Sequence, residues 1–134
     1  MECIFCKIVK REIPSSIVYE DDYTLAFLDI APILPGHVLV IPKKHAANLS
    51  AVDEVMLCHT MEAVKKIGQA LQESLGAKGY NVSINNGEAA GQIIDHFHWH
   101  IIPRHQKHEL ELWPQGKYEA GEAESLAKKI KAKL

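Results

Sequence analysis

Residues 96 to 102 read His-Phe-His-Trp-His-Ile-Ile: three histidines at alternate positions, with large apolar side chains between and after them. No other run constrains the fold as tightly. Phe, Trp and Ile favour strands, and strand side chains alternate between two faces. Phe97, Trp99 and Ile101 therefore share one face and need a core. His96, His98 and His100 share the other face, and are expected to look out of that core toward a cleft or solvent. At about 3.3 Å per residue, the outer two histidines stand about 13 Å apart. Two of the rings can converge on one small group, but three cannot easily close on one metal ion while the strand stays extended. The row reads as imidazoles with separate tasks, drawn from nucleophilic attack, proton transfer and metal binding.

A sheet to hold this strand is legible elsewhere. Ile17–Glu20 and Tyr23–Ile30 flank an Asp-Asp turn and predict a hairpin. His37–Pro42 is almost wholly apolar between its ends, so it is expected to be central and buried on both faces. Tyr80–Asn85 alternates and predicts a fourth strand. Ser50–Asp53 resembles a capping box. Beyond it Val52, Met56, Cys58, Ala63, Val64, Ile67, Leu71 and Leu75 recur at roughly helical spacing, with Gly76 as the stop. Residues 120 to 134 predict a short basic amphipathic helix with Leu126, Ile130 and Leu134 on one face.

The chain has 134 residues, a length for one domain, 1–134. Its formal charge of −2 implies no nucleic-acid partner, and no apolar run approaches membrane-spanning length. The three cysteines are an odd number and fit reduced thiols in a cytoplasmic protein.

Several residues carry candidate chemistry. Cys3-x-x-Cys6 is half a zinc site, though a redox pair or two buried thiols fit the spacing as well. Further ligands are expected from histidines, since Cys58 falls in the predicted helix. His37 and His45 bracket the apolar strand and should serve different places. Asn86–Gln92 is a small-residue loop directly before the histidines, where Gly87 and Gly91 let backbone N–H groups approach an anion. His98, with an imidazole on either side, is the candidate nucleophile. His100 and backbone amides would donate to phosphate oxygens, and Asn85 and Gln92 would orient substrate. Asp29 sits where it can accept from a ribose or cap a turn. No phosphate-binding loop with Lys and Ser/Thr is present, so ATP-driven chemistry is not indicated. Two competitors stand beside this reading: iron, copper or manganese held by two alternate strand histidines with a carboxylate, and a nucleotide-binding protein without turnover.

With these residues in view, the chain resembles the histidine triad (HIT) family. HFHWHII meets the pattern His-φ-His-φ-His-φ-φ, and YEDDYTLAFLDI, GHVLVIPKKH and NNGEAAGQ resemble the family's other blocks. The likeness covers nearly the whole chain and is nearest to small bacterial proteins of the Hint branch. It implies an α+β fold: a five-stranded antiparallel sheet with one long helix and a short C-terminal helix, joined into a homodimer. It implies a purine nucleotide substrate, with Asp29 and Ile30 at base and ribose, and Asn85, Gly91, Gln92 and Ile93 at ribose and phosphate. It implies His98 as the nucleophile on the α-phosphate of a nucleoside phosphoramidate or acyl-nucleotide. His100 becomes a phosphate contact and proton carrier, and His37 a hydrogen-bonding support. The runner-up activity is dinucleoside polyphosphate hydrolysis. The resemblance also implies a structural zinc held by Cys3, Cys6, His45 and His96. One position departs: Ile93 stands where many relatives carry a Ser or Thr that assists the leaving group, although its backbone amide remains.

Overall fold

The computed structural model describes residues 2–134. Helix α1 is Ile4–Val9, followed by β1 Ile17–Glu20, β2 Thr24–Leu28 and β3 Val38–Pro42. Helix α2 is Glu54–Leu75; β4 Gly79–Ser83, β5 Trp99–Arg104 and α3 Glu122–Lys131 complete the order. The strands form one antiparallel sheet in the order β1-β2-β3-β5-β4. The α+β class, the five strands and the long helix agree with the sequence.

The two faces of the sheet have different covers. Ala26, Val38, Val40 and Ile101 pack with Ala63, Val64, Ile67 and Leu71 of α2. Leu25, Phe27, Leu39 and Ile41 pack with Phe5 and Ile8 of α1. β3 is thus buried on both sides, as an unbroken apolar run requires. Asp53 caps α2 by accepting the Met56 N–H at 2.9 Å, and Gly76 closes it in the left-handed conformation. Gly68 leaves room on α2 for the Tyr80 ring of β4.

Some expectations need correction. The predicted capping box at Ser50 is a turn; the helix starts only at Glu54, because the Asp53 carboxylate caps it by taking the free first-turn N–H of Met56. Val52 lies outside the helix and Cys58 is on its exposed side, so the core stripe is Thr60, Ala63, Val64, Ile67, Gly68 and Leu71. β2 stops at Leu28, short of Asp29 and Ile30. The histidine strand begins at Trp99, not His96, and runs to Arg104. The ladder explains this. Val40 pairs with Trp99, so the same register would set Pro42 opposite Phe97, and proline has no N–H to give. The Phe97 N–H bonds the Ala46 carbonyl at 2.7 Å instead. The short helix α1 is unannounced by its sequence, since six residues show no periodicity. Helix α3 buries none of its residues. Among the described residues no helix is long and apolar enough to cross a membrane.

Candidate active site

Strand parity collects the site on the α1 face. Leu39 pairs with His100, and directly paired residues share a face, so His100 lies on the side of Leu39 and Phe27. His37 is two residues before Leu39, and Asp29 two after Phe27, so both continue on that face. Alternation also survives in the lead-in to β5. The His98 ring lies 4.9 Å from that of His100, while Phe97 meets Trp99 on the other side at 5.8 Å. There the Trp99 indole N–H donates to the Thr60 hydroxyl at 2.9 Å.

The histidine row looks away from the α2 core, as the alternation predicts, but not into open solvent. His96 is fully buried and His98 is 8% exposed, because α1 lies over them. Phe5 meets the edges of both rings, at 5.9 Å for His96 and 5.2 Å for His98. The same helix brings two thiols. Cys3 is its N-cap, with Sγ accepting the Cys6 N–H at 3.4 Å, so one helical turn aims both sulfurs at one point.

That point is a four-donor cluster. One ligand atom each from Cys3, Cys6, His45 and His96 lies within 4.8 Å of every other. Cys3 Sγ and Cys6 Sγ are 3.4 Å and 3.6 Å from His96 Nδ1. Cys6 Sγ is 3.4 Å from His45 Nδ1, and the two Nδ1 atoms are 3.2 Å apart. Tetrahedral zinc with Zn–S of about 2.3 Å and Zn–N of about 2.0–2.1 Å needs S···N edges of about 3.6 Å and an N···N edge of about 3.3 Å. The cluster therefore fits. Protons support this, because the His96 Nε2–H donates to the Pro42 carbonyl at 2.8 Å and leaves Nδ1 as a lone pair inside the cluster. Burial, then the neighbouring Cys3 thiol, pushes the Cys6 thiol up, so a thiolate here calls for a cation. The shell holds four protein donors and no open position, the pattern of a structural site.

His37, His98 and His100 form a separate group. His98 Nδ1 lies 2.7 Å from the His96 carbonyl, which can only accept, so this nitrogen carries the proton. Nε2 then holds the lone pair. His37 Nε2 is 2.9 Å from His100 Nδ1, and His37 Nδ1 is 3.8 Å from Asp29 Oδ2. His100 Nε2 is buried with no hydrogen-bond partner among the described residues. Burial is the first cause holding each ring below the usual imidazole range. His37 and His98 are lowered, and His96 and His100 are pushed down to about 4. All four are neutral at pH 7. The site thus offers a bare imidazole nitrogen on His98 beside an unsatisfied polar nitrogen on His100.

The loop before the histidines is fastened to the same place. Gln92 is buried, and its amide is fully engaged: Oε1 accepts the Gly87 N–H at 2.9 Å, and Nε2 donates to Ala47 and Ile94 carbonyls at 2.7 Å and 3.0 Å. Its side chain shapes the loop instead of reaching into open space. Gly91 adopts φ +90°, and Asn85 Nδ2 lies 3.5 Å from its carbonyl. Ser83 pairs with His100, so carrying the register on by two places sets Asn85 beside His98. Ile93 is 89% exposed and Ile30 is 95% exposed, two apolar side chains outside the core. The N–H of Ile93 has no main-chain acceptor among the described residues.

Sequence reasoning missed the apolar wall of Phe5 and Phe27, whose rings meet edge to face at 5.4 Å beside His98. A signal for Phe5 was there: it lies between the two cysteines, so whatever they close on receives it too. The carbonyls of Pro42 and His96, which set two imidazole tautomers, carry no side-chain signal.

The HIT domain model matches residues 10–107 of this chain. The adenosine 5′-monophosphoramidase of Schizosaccharomyces pombe is 42% identical over 136 residues, covering 100% of this chain and 99% of its own. A crystal structure of a HIT family member from Bacillus subtilis is 39% identical with a TM-score of 0.90, covering 100% of this chain and 98% of that one. A zinc-bound histidine triad family protein from Mycobacterium smegmatis is 34% identical with a TM-score of 0.80, covering 98% of each chain.

Proposed function

Because this chain belongs to the HIT family, a family with named nucleotide hydrolases, we propose that it cleaves a purine nucleoside phosphoramidate or acyl-nucleotide at the α-phosphate, with His98 as nucleophile. One observation carries the reading: the His96 carbonyl holds the His98 proton on Nδ1 and leaves the Nε2 lone pair free. Nε2 attacks phosphorus as the P–N bond to the amine, or the P–O bond to the acyl group, breaks; the amine takes a proton from water as it leaves, and the acyl group leaves as a carboxylate anion. The nucleotidyl-histidine then takes water. The P–Oxygen bond forms, the P–N bond to His98 breaks, and nucleoside monophosphate leaves. Neutral His100 faces the phosphate, with His37 behind it. The Ile93 N–H and Asn85 contribute donors, and Gly91 allows close approach. Asp29 receives the ribose, and Ile30 with the Phe5–Phe27 wall receives the base. Cys3, Cys6, His45 and His96 would hold zinc, whose role is to pin α1 against the lead-in to β5. Gln92 serves the site through the loop it ties together.

The monophosphoramidase name of the S. pombe relative favours a phosphoramidate. The missing hydroxyl at Ile93 leaves dinucleoside polyphosphates as the second reading. Turnover of an adenosine monophosphate–amine conjugate, compared with that of a diadenosine polyphosphate, separates the two. Mass spectrometry after an acid-free quench should find a nucleotidyl adduct on the wild-type protein and none on His98→Ala. Full turnover by His98→Ala would end the proposal. A nucleotide-binding protein without turnover would bind equally well with or without that ring.

We further propose a cytoplasmic homodimer. β4 is an edge strand, and Val82 on it and Met61 on α2 are exposed. Pairing of two such edges would satisfy the open backbone groups, and sedimentation gives the mass directly.

A further inference from the structure

Neutral imidazole has one donor and one acceptor nitrogen. The His37–His100 pair can therefore be built in two ways. In one, His37 Nε2 donates to His100 Nδ1, and His100 presents Nε2–H to the site. In the other, every proton is moved and His100 presents a bare lone pair. Only the first attracts a phosphate oxygen; the second repels it. The rings themselves are indifferent, so something outside them has to choose.

We infer that the main-chain N–H of Ile33 makes this choice and is a positioning group of the site. This N–H lies 3.1 Å from His37 Nδ1. A backbone N–H can only donate, so Nδ1 must accept and the His37 proton sits on Nε2. Nε2–H then donates to His100 Nδ1 across 2.9 Å. The His100 proton is left on Nε2, the buried nitrogen without a partner. Three successive geometric facts thus end in one N–H aimed at the space beside the His98 ring, 4.9 Å from the His100 ring.

A rival acts on the same nitrogen. Asp29 Oδ2 stands 3.8 Å from His37 Nδ1 and would favour a proton there, which reverses the chain. The loop defeats it by construction. Asp29 Oδ1 accepts the Ala31 N–H at 2.9 Å, and the His37 N–H donates to the Leu34 carbonyl at 3.0 Å. Both bonds hold the turn so that the Ile33 N–H reaches the ring first. Pro32 and Pro35 bracket it, and each fixes its own φ. The Ile33 side chain is 55% exposed, so the position serves through its backbone and not through packing.

The test removes one hydrogen. Ile33 is replaced by its α-hydroxy acid, which turns the amide N–H into an ester oxygen; Ile33→Pro is the genetically simple companion. Imidazole nitrogens are read by two-bond 1H–15N correlation spectra on protein labelled at histidine nitrogen. In the wild type, His100 should show a protonated Nε2 and an unprotonated Nδ1. In the ester variant that pattern should reverse, wholly or as a new exchanging population. A wild-type His100 protonated at Nδ1, or an ester variant with the wild-type pattern, overturns the inference. This readout needs no substrate, so it stands apart from the proposed hydrolysis. On that reading, which the activity arm rests on, the ester variant loses about 10²-fold in kcat, as when one donor to a developing oxyanion is lost. A reversed tautomer with unchanged kcat would overturn the catalytic importance of the polarity. Inactivity of the wild type on nucleotides would instead sink the proposed function and leave the tautomer result standing.

Discussion

Acid should weaken this protein through His100 in a measurable way. Burial holds that ring at about 4, against an ordinary value of 6.5. A base whose folded value is depressed binds its proton more readily when the chain unfolds. Its neutral burial therefore costs nothing above pH 6.5, and stability is lost as pH falls from 6.5 toward 4. Integrating between those two values, the loss accumulated by pH 4.5 is roughly 2–3 kcal/mol. That is a large share of a small domain's roughly 5–15 kcal/mol. Other groups titrate in the same window, so the comparison must cancel them. Urea unfolding of wild type and His100→Asn, followed by Trp fluorescence, is run at pH 7.5 and pH 4.5. The variant should lose about 2 kcal/mol less than the wild type between the two. An equal loss in both proteins would refute the claim that a buried neutral His100 carries this linkage.

Other consequences can be measured directly. His98, the proposed nucleophile, is lowered by burial as well, so turnover should hold as pH drops through the usual imidazole range and decline only when His98 gains its proton; a decline centred at 6.5 would contradict the burial argument. Cys6→Ser should lose bound zinc by elemental analysis and raise amide exchange along residues 4–9, with β3 still protected; a metal-free wild type with protected α1 amides would remove the clip from the account. Gln92→Ala strips three hydrogen bonds to main-chain groups and should cost roughly 2–4 kcal/mol, with faster exchange confined to the 86–94 loop. Gly68→Ala places a methyl against the Tyr80 ring and should lower Tm by about 1–3 kcal/mol worth of stability through a shifted β4; an unchanged Tm would show that the contact relaxes freely.

Much of the site is legible in the sequence, but what packs over it is not. Parity alone put Phe97 and Trp99 against a core and His98 with His100 on the opposite side, and both groupings stand. The separation of His37 from His45 stands too, one beside His100 and the other among the thiols. What parity cannot say is what covers the polar face. The answer is α1, six residues with no periodic signal, which carries the same thiols that the spacing marked only as half a site. The partners of Gln92 are equally silent in the sequence. Its amide bonds three main-chain groups that no spacing announces.

The order of residues determined which side chains lie together on a strand face, because a two-residue period needs no knowledge of distant parts. It also determined the kinds of chemistry on offer: imidazole, thiol, carboxylate and glycine-rich loop. Only the folded chain decided where each proton sits. That choice is made by the carbonyls of Pro42 and His96 and the N–H of Ile33, main-chain groups that nearly all residue types share and no sequence pattern marks. A ring nitrogen takes its role from the partner packing brings to it, and those partners come from 4 to 54 residues away except at His98.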